Sequence, residues 1–390
     1  MKHKLLIPSS AVSLLALLAM PIQTMAQEQQ PTQHAQHYSV TDLGTLGGTS
    51  GTAYGINERG VTAGFANLIA GGPQHAFISS RGRLRDLGTL GGPNSIGAGP
   101  NASDDVAVYS ETADPAYMNE DFCGFQDHLQ CLAAIWRHGK LAPLPTLPGG
   151  DNAQSFAIND RSEVVGFAEN DTLEKPGYCA TPFQVLDFEA VVWGPEPDQI
   201  HELPPLPGDK VGVALAVNNN GQVVGSSGLC SDTTITGLIN GPHAVLWDRD
   251  GSVTNLGNLG GNLVNVAAGI NDRGEVVGGA LSSKDGNLHA FLWTKDKGIQ
   301  DLGLLGEDTA TAPSSINNHG QLVGLSCSAT GSCRAFLGLG GTLIDLNTLI
   351  PADSPLYLVS AWGINDSGEI AGQAVTKGGE LHAFRATPCD

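Results

Sequence analysis

The sequence predicts an all-β protein, a seven-bladed β-propeller of four-stranded blades whose ring is closed by the N-terminal strand completing the last blade. Three observations predict this fold. A turn asparagine recurs at intervals of about 50 residues, each copy is followed by segments typical of short strands, and these segments are permuted at the chain ends. Evenly spaced short strands separated by turn residues are typical of closed all-β arrays.

The clearest copy of the repeat spans residues 267–305. Asn271 and Gly274 suit the ends of a type I turn that finishes in a left-handed residue, because asparagine bonds its own backbone and glycine accepts positive φ. Runs rich in β-branched, aromatic and leucine residues follow at 276–277, 290–293 and 299–302. Together with the strand before the turn, they predict four strands per blade.

The turn asparagine occurs as Asn57, Asn101, Asn159, Asn218, Asn271, Asn317 and Asn365. Small residues or proline lie two and four positions before each one, as expected for an inner strand crowded against its neighbours near the axis of a ring. A third-strand alanine recurs at Ala76, Ala133, Ala190, Ala244, Ala290, Ala335 and Ala383. Paired leucines three residues apart are assigned to the fourth strand, and Trp136, Trp193, Trp247 and Trp293 are expected to pack between sheets.

The order of the segments predicts ring closure. The chain enters with a fourth-strand segment, 42–44, and stops after a third-strand segment, 382–384. We therefore expect the first strand to complete the last blade, since closure removes the exposed sheet edges of an open array. A β-solenoid is the alternative architecture, but it does not need the N-terminal strand to complete the C-terminal unit.

The segments DLGTLGG, GINDxG and HAFLW, in fixed order, resemble the HAF family of extracellular repeat proteins. The resemblance covers about Tyr38 to Phe384 and implies a secreted, propeller-like protein. It implies no activity and no catalytic residue, because the family carries no agreed ones. Blades 2 and 3 depart most from the pattern: Asp104 and Ser162 replace the turn glycine, and Pro143 and Glu202 replace the aspartate before the leucines.

The N-terminal region predicts export. Residues 1–26 carry two lysines, an apolar run and small residues ahead of a cleavage site, as a signal peptide does. Residues 27–37 are expected to be a flexible tether, and 38–390 a single propeller domain. The net charge of −20 argues against nucleic acid as a partner, and no later stretch is apolar and long enough for membrane insertion. We expect a secreted monomer, extracellular or periplasmic.

The seven cysteines are expected to form disulfides in an exported protein. Their positions predict three bridges, Cys123–Cys131, Cys179–Cys230 and Cys327–Cys333. Cys389 is left over, which means that it is free, that it pairs between chains, or that one assignment is wrong. Zinc ligation is disfavoured because no Cys-x-x-Cys pair occurs.

Long loops in blades 2, 3 and 4 predict the functional face. The connections between second and third strands lengthen at 110–130, 168–188 and 226–242, on the face that also carries the connections between blades. Long loops on a rigid ring are typical of recognition surfaces, although sequence also drifts freely there. The leading hypothesis is a binding or scaffold protein for an extracellular glycan or protein. A purely structural envelope component is a further alternative.

Candidate ligand-binding residues on this face are Asp151, Asp209, Glu307, Asp308, Asp353, Tyr117, His128 and Tyr178. The acidic members make either a calcium-binding mouth or a solvated rim, and no calcium-loop spacing favours calcium. The alternative function is a carbohydrate-active hydrolase or lyase that uses paired carboxylates. No nucleophile elbow, phosphate loop or HExxH motif occurs, so no catalytic residue is assigned, and no cofactor beyond possible calcium. His75, His243, His289 and His382 are spread around the ring, which favours a structural role over metal binding.

Overall fold

The computed structural model describes residues 36–80, 82–173, 185–196, 198–232 and 242–389. Its regular structure consists of β-strands and three short 3-10 turns, at Tyr117–Asn119, Cys230–Asp232 and Leu346–Thr348. The all-β prediction is confirmed. The predicted signal peptide and most of the predicted tether lie outside these ranges, within which no helix is apolar and long enough to cross a membrane.

The strands form seven consecutive runs of four, here called units 1 to 7. Unit 1 contains β2 (Gly51–Ile56), β3 (Thr62–Asn67), β4 (Gln74–Ser80) and β5 (Arg83–Asp86). Unit 2 contains β6 (Gly91–Pro100), β7 (Val106–Pro115), β8 (Leu129–Arg137) and β9 (Lys140–Pro143). Unit 3 contains β10 (Ala153–Ile158), β11 (Val164–Leu173), β12 (Leu186–Trp193) and β13 (Ile200–Leu203).

The remaining units follow in the same order. Unit 4 contains β14 (Val211–Val217), β15 (Val223–Gly228), β16 (His243–Trp247) and β17 (Val253–Asn255). Unit 5 contains β18 (Gly260–Ile270), β19 (Val276–Ser282), β20 (Leu288–Thr294) and β21 (Gly298–Gly303). Unit 6 contains β22 (Ala310–Ile316), β23 (Leu322–Cys327), β24 (Cys333–Leu339) and β25 (Thr342–Asp345). Unit 7 contains β26 (Leu356–Ile364), β27 (Ile370–Thr376), β28 (Leu381–Pro388) and β1 (Tyr38–Gly44).

Each unit is an antiparallel sheet in which sequence neighbours pair. Units 5 and 6 are joined into one larger sheet by a single parallel residue pair, Leu288 with Ala310. In unit 7 the outer strand is β1, which pairs with β28 from Tyr38 opposite Pro388 onward. The first strand of the chain therefore belongs to the same sheet as the last three.

The predicted turn joins the first and second strands of each unit. In unit 5 the Asn271 side-chain oxygen accepts hydrogen bonds from the backbone N–H groups of Arg273 (3.1 Å) and Glu275 (3.0 Å). Gly274 closes this turn at a φ of 75°. The same left-handed conformation occurs where glycine is missing, at Asp104 (φ 65°) and Ser162 (φ 61°). The predicted turn geometry is confirmed.

The turn asparagines also join neighbouring units. Each side-chain Nδ2 donates to the backbone carbonyl of the next turn asparagine at 2.8 to 3.1 Å. The donors run in chain order as Asn57, Asn101, Asn159, Asn218, Asn271, Asn317 and Asn365. Asn365 donates back to the carbonyl of Asn57 at 3.0 Å, so the series of hydrogen bonds returns to its start.

The first strands approach one another closely at their small residues. A Cβ atom on Gly55 would lie 2.3 Å from the Cα of Gly99, and one on Gly363 would lie 2.9 Å from the Cα of Gly55. The first strand also bulges there, because the pairing register shifts between Ala53 and Gly55 and between Ala361 and Gly363. The residue between the small ones is left out of the ladder, and a bulge re-aims its side chain.

Tryptophan and leucine side chains fill the spaces between units. Trp193 and Trp247 are buried, and their indole N–H groups donate to the carbonyls of Pro145 (2.8 Å) and Pro204 (2.7 Å) in the connections that follow the preceding units. The predicted packing of these tryptophans between sheets is confirmed. The leucine pairs were assigned to the fourth strand, but they lie at the end of that strand or after it. For example, Leu87 follows the last residue of β5. They pack under the next unit where the connection crosses to it.

Candidate functional site

Two cavities lie among the first strands, at opposite ends of those strands. The larger, about 970 Å³, lies toward the connections between second and third strands and is here called the aromatic cavity. The smaller, about 310 Å³, is bounded by the turn asparagines and is here called the asparagine end. Protein cavities that bind small ligands typically have volumes of about 300 to 1,000 Å³.

The residues that stand three positions before each turn asparagine line the aromatic cavity, together with other first-strand residues. There is one from each first strand: Tyr54, Ala98, Phe156, Leu215, Ala268, Ser314 and Trp362. Each falls within the register shift of its strand. Sequence reasoning recognised the small residues on either side and missed the residue between them. The available signal was the alternation itself, because a residue flanked by two that face neighbouring strands points the other way.

Aromatic rings from the first and second strands form one side of this cavity. Tyr54 meets Trp362 edge to face with ring centroids 5.4 Å apart, and Tyr109 meets Phe156 at 6.2 Å. Phe156 also stacks on Phe167 at 5.7 Å. Burial raises the pKa of both tyrosines, so their phenols remain neutral hydrogen-bonding groups across the physiological pH range.

A loop of unit 2 forms another wall of the aromatic cavity. Residues 116–128, here called the unit 2 loop, connect β7 to β8 and place Asp121, Phe122, Gln126 and His128 against the cavity. Of the three long connections, this one lies wholly within the described residues. In the other two, residues 174–184 and 233–241 lie outside them.

Apolar and covalent contacts fix the middle of the unit 2 loop. The Phe122 ring packs on Phe167 with centroids 4.9 Å apart, and the Phe122 carbonyl accepts a hydrogen bond from Gln154 Nε2 at 2.6 Å. Cys123 forms a disulfide with Cys131 at the start of the third strand, which confirms that predicted bridge. The loop is therefore bound both to its own unit and to unit 3.

A buried cluster of one asparagine and two glutamates anchors the loop to unit 3. The Asn152 side-chain amide donates to Glu120 Oε2 and to Glu169 Oε2, each at 2.9 Å. Glu120 also accepts from the backbone N–H groups of Val185 and Leu186, at 2.5 Å and 3.1 Å. Both glutamates are almost completely buried.

The two glutamates of this cluster share a side-chain hydrogen bond. Two carboxyl groups can share such a bond only while one of them carries a proton. Burial, the largest cause, together with repulsion by Glu120, places the pKa of Glu169 well above its usual range. Burial also leaves the pKa of Glu120 raised despite its backbone hydrogen bonds. The pair therefore retains a proton at pH values where exposed glutamates are ionised.

An equivalent cluster anchors the loop to unit 2. The Asn94 amide donates to Glu111 Oε2 at 2.9 Å and to Asp127 Oδ2 at 2.8 Å. Glu111 is fully buried and its Oε1 atom has no hydrogen-bond partner. Burial, with repulsion by Asp127 and Asp121, raises the pKa of Glu111 to about 7.

Three of the predicted ligand-binding carboxylates brace the fold. Asp209 accepts from Ser227 Oγ and contacts His243 Nδ1, at 2.7 Å and 2.8 Å. Asp308 makes the corresponding contacts to Ser326 Oγ at 2.7 Å and Arg334 Nε at 3.1 Å.

Asp151, the third of these carboxylates, holds the unit 2 loop. Its carboxylate accepts from the backbone N–H of Tyr117 at 2.7 Å and from Gln130 Nε2 at 3.0 Å. The exposed residues Glu307 and Asp353 lie apart from the cavity. Of the eight predicted site residues, His128 lines the aromatic cavity, and Tyr178 lies outside the described residues.

The repeated third-strand histidines pair with carboxylates. His75, His289 and His382 contact the fourth-strand aspartates Asp86, Asp301 and Asp42 at 2.8 to 3.0 Å. Burial lowers the pKa of His289, but its bonds to Asp285 and Asp301 outweigh that effect and raise it. Across the described ranges, no cluster of three or more His, Cys, Asp or Glu side chains is suited to a metal ion.

The structure tests the predicted pairing of some of the remaining cysteines. Cys327 and Cys333 form the second predicted disulfide, which is confirmed. Cys389 is exposed and free. The predicted Cys179–Cys230 bridge involves Cys179, which lies outside the described residues, and it stays a prediction.

No protein-family model matches the sequence, and no curated protein matches it. Similar solved structures are β-propeller proteins. They include virginiamycin B lyase from Staphylococcus aureus (TM-score 0.49, 11% identity, 89% of this chain and 99% of that chain). The β-propeller domain of the Trilobed protease from Pyrococcus furiosus is also similar (TM-score 0.46, 14% identity, 77% of this chain and 84% of that chain). So is the Aleuria aurantia lectin (TM-score 0.37, 9% identity, 90% of this chain and 97% of that chain). Likenesses of this degree carry no argument about what this chain binds.

Proposed function

We propose that this protein is a secreted, seven-bladed β-propeller of the HAF repeat family that binds an extracellular glycan in the aromatic cavity. The units correspond to the predicted blades, and β1 closes the ring. Two observations support closure: β1 pairs with β28, and the hydrogen bonds of the turn asparagines return from Asn365 to Asn57. The order of the sequence motifs supports the family assignment.

The observation that carries the binding proposal is the composition of the aromatic cavity. The cavity is lined by the aromatic rings of Tyr54, Phe156 and Trp362 and also by polar side chains such as Gln126 and His128. A sugar ring presents apolar C–H faces and a rim of hydroxyl groups, so it suits a wall that combines aromatic faces with a few hydrogen-bonding groups. A folded protein partner is too large to enter the cavity, which favours the glycan over the protein.

The positions of the exposed apolar side chains support the proposal that the face at the aromatic cavity end is the recognition surface. The large apolar side chains that are exposed in the described ranges are Ile69, Tyr117, Met118, Leu173, Leu263 and Tyr357. All six lie in or beside connections between second and third strands or between units. These connections surround the aromatic cavity end, and exposed apolar groups gathered at one face are typical of interaction sites.

Binding is favoured over hydrolysis because the described lining of the cavity lacks a pair of carboxylates. Asp121 is the one Asp or Glu side chain among the described residues that line it. Glycosidases that use two carboxyl groups require a pair flanking the scissile bond. The buried glutamates of the unit 2 loop clusters stand behind the wall, where their hydrogen bonds hold the loop.

The binding proposal is tested by titrating the purified mature protein with a panel of oligosaccharides, followed by calorimetry and by chromatography of the sugars. We expect a ligand whose affinity falls at least about 10-fold in Trp362→Ala, which corresponds to about 1.4 kcal/mol. Tyr357→Ala removes an exposed aromatic ring from the same face outside the cavity, and it should leave the affinity unchanged.

Two outcomes would count against this proposal, and a third would add to it. Equal losses in the Trp362 and Tyr357 variants would place the ligand outside the cavity. Shortened sugars would favour the hydrolase or lyase instead. Affinity abolished by a chelator and restored by calcium would add the cation as a required partner, which the described side chains do not predict.

A further inference from the structure

Two equivalent buried clusters hold the unit 2 loop, which forms a wall of the aromatic cavity. Asn94 and Asn152 each stand seven positions before a turn asparagine, and Glu111 and Glu169 are the sixth residues of β7 and β11. In each cluster the asparagine amide bridges its buried glutamate to a carboxylate of the unit 2 loop. The loop thus spans two units and is attached to both through acidic groups.

Acidic groups make these attachments dependent on protons. Both glutamates of the unit 3 cluster are buried against each other, and their mutual hydrogen bond exists only while one of them is protonated. The other charged group acting on Glu120 is Asp151, a carboxylate on the connection before β10. Removal of the shared proton would place two like charges in contact without water.

We propose that the unit 2 loop is a proton-dependent latch on the aromatic cavity, closed while Glu120 and Glu169 share a proton and released when both are ionised. The regulation of ligand access rests on the proposed function, but the movement of the loop does not. Glu111, which Asn94 bridges to Asp127, adds a second proton-dependent attachment at the other end of the loop.

The latch acts on the cavity because Glu120 lies two residues before Phe122. The Phe122 ring packs on Phe167, and both rings line the cavity, so withdrawal of Glu120 from its buried position pulls on the wall itself. The Cys123–Cys131 disulfide keeps the far part of the loop tied to β8. Release therefore loosens the segment 116–122, which then keeps the bonds of Tyr117 to Asp151 and of Phe122 to Gln154.

The direction of the pH dependence follows from the raised pKa values. A carboxyl group whose pKa is higher in the folded state than in the unfolded state stabilises the fold at low pH, and this stabilisation is lost as pH rises through the folded value. The charged neighbours that act on Glu111 are Asp127 and Asp121, also carboxylates. Both clusters therefore favour the closed loop in acid and the released loop in alkali.

The experiment is hydrogen–deuterium exchange of the full mature protein without ligand, compared between pH 6 and pH 9 after correction for the intrinsic exchange rate. We expect the protection of peptides covering 116–122 to fall at least about 10-fold, while peptides from β20 and β24 stay protected. Glu169→Gln keeps a donor for Glu120 and an acceptor for Asn152 without titrating, so its loop should stay protected at pH 9. Glu307→Gln removes an exposed charge from the same face and should behave as the wild-type protein does.

The latch is wrong if wild-type protection is the same at both pH values, or if Glu169→Gln loses protection as the wild type does. Because no ligand is present, failure to find a glycan does not affect this result. Conversely, if a glycan binds but the protection of the loop does not change with pH, the proposed function stands and the proposed latch is wrong. Once a ligand is identified, the affinity of the wild-type protein for it should fall toward pH 9, because the released loop no longer forms the cavity wall. The affinity of Glu169→Gln should not fall.

Discussion

The two ends of the first strands differ in how strictly they repeat. At the asparagine end, each of the seven asparagines accepts from the backbone N–H four positions later and donates to the carbonyl of the next turn asparagine. Three positions earlier, the same strands contribute tyrosine, alanine, phenylalanine, leucine, alanine, serine and tryptophan to the aromatic cavity. Identical groups can hold identical units together, whereas different groups make a surface that no symmetric repeat could provide.

This difference separates the two tasks within one strand. The turn asparagine is buried between units, so its replacement leaves a carbonyl and a backbone N–H without partners. The bulge residue faces a cavity and pairs with nothing in the ladder, so its replacement disturbs no backbone hydrogen bond. We therefore expect substitutions at the asparagine end to change stability, and substitutions at the bulges to change binding.

The largest expected effect concerns Asn365, whose Nδ2 donates to the carbonyl of Asn57 and whose Oδ1 accepts from the N–H of Glu369. Asn365→Ala should lower the free energy of unfolding by about 3 kcal/mol, because buried polar groups lose their partners. Asn271→Ala removes the corresponding bonds in the middle of the chain, and also one from the N–H of Arg273. Urea unfolding should give similar losses for both variants.

This comparison tests closure of the ring. In an open array Asn365 would have no following unit, and its replacement would cost much less than that of Asn271. Asn258→Ala serves as the control, because it removes one exposed turn hydrogen bond. A loss for Asn365→Ala no greater than that of this control would contradict the closed propeller.

A smaller effect is expected from the two confirmed disulfides. Replacing Cys123 and Cys131 by serine, or Cys327 and Cys333 by serine, should lower the free energy of unfolding by about 2 kcal/mol in each case, since both bridges close short loops. Only the first bridge belongs to the wall of the aromatic cavity. Calorimetric titration should therefore show weaker ligand binding without it, and unchanged binding without the second.

Equal affinities in the two disulfide variants would mean that the unit 2 loop does not form part of the binding site. A loss of affinity in both would point to the outer rim of the face, where the Cys327–Cys333 hairpin lies. Thermal denaturation of both variants provides the control for folding, because the stability losses should match.

The repeat was predictable because its signals are local. The turn needs asparagine and a left-handed fourth residue within a few positions, and the permuted segments 42–44 and 382–384 indicated the pairing of β1 with β28. Even the exceptions Asp104 and Ser162 were visible as departures, although their left-handed conformation required the structure.

The candidate site was less predictable because its contacts join distant parts of the chain. The sequence predicted Asp209 and Asp308 as ligand-binding residues on loops. In the structure each accepts a hydrogen bond from a serine of the second strand and contacts a basic residue of the third strand. Glu120 meets Glu169 only after units 2 and 3 have packed. The bulge residues were hidden for a different reason, since no composition signal distinguishes a residue that faces a cavity from one that faces solvent.

The smallest expected effect concerns unit 3, where the histidine–aspartate pair of other units is replaced by two glutamates. Burial, then repulsion by Glu202 and Asp187, raises the pKa of Glu189 to about 7. This group therefore stabilises the fold below about pH 4.5, and its contribution is lost as pH rises through about 7. Glu189→Gln should be more stable than the wild-type protein at pH 8 by about 1 kcal/mol, and close to it at pH 5.

Thermal denaturation at the two pH values measures this difference as a shift of a few degrees or less. Glu202→Gln supplies the matched variant: it removes the repelling carboxylate, so it should recover part of the same stability at pH 8 while leaving Glu189 to titrate at a lower pH. A stability gain for Glu189→Gln that is equal at pH 5 and pH 8 would mean that the side chain acts through packing and not through its charge. The pair would then no longer explain why unit 3 tolerates two glutamates where unit 5 has His289 and Asp301.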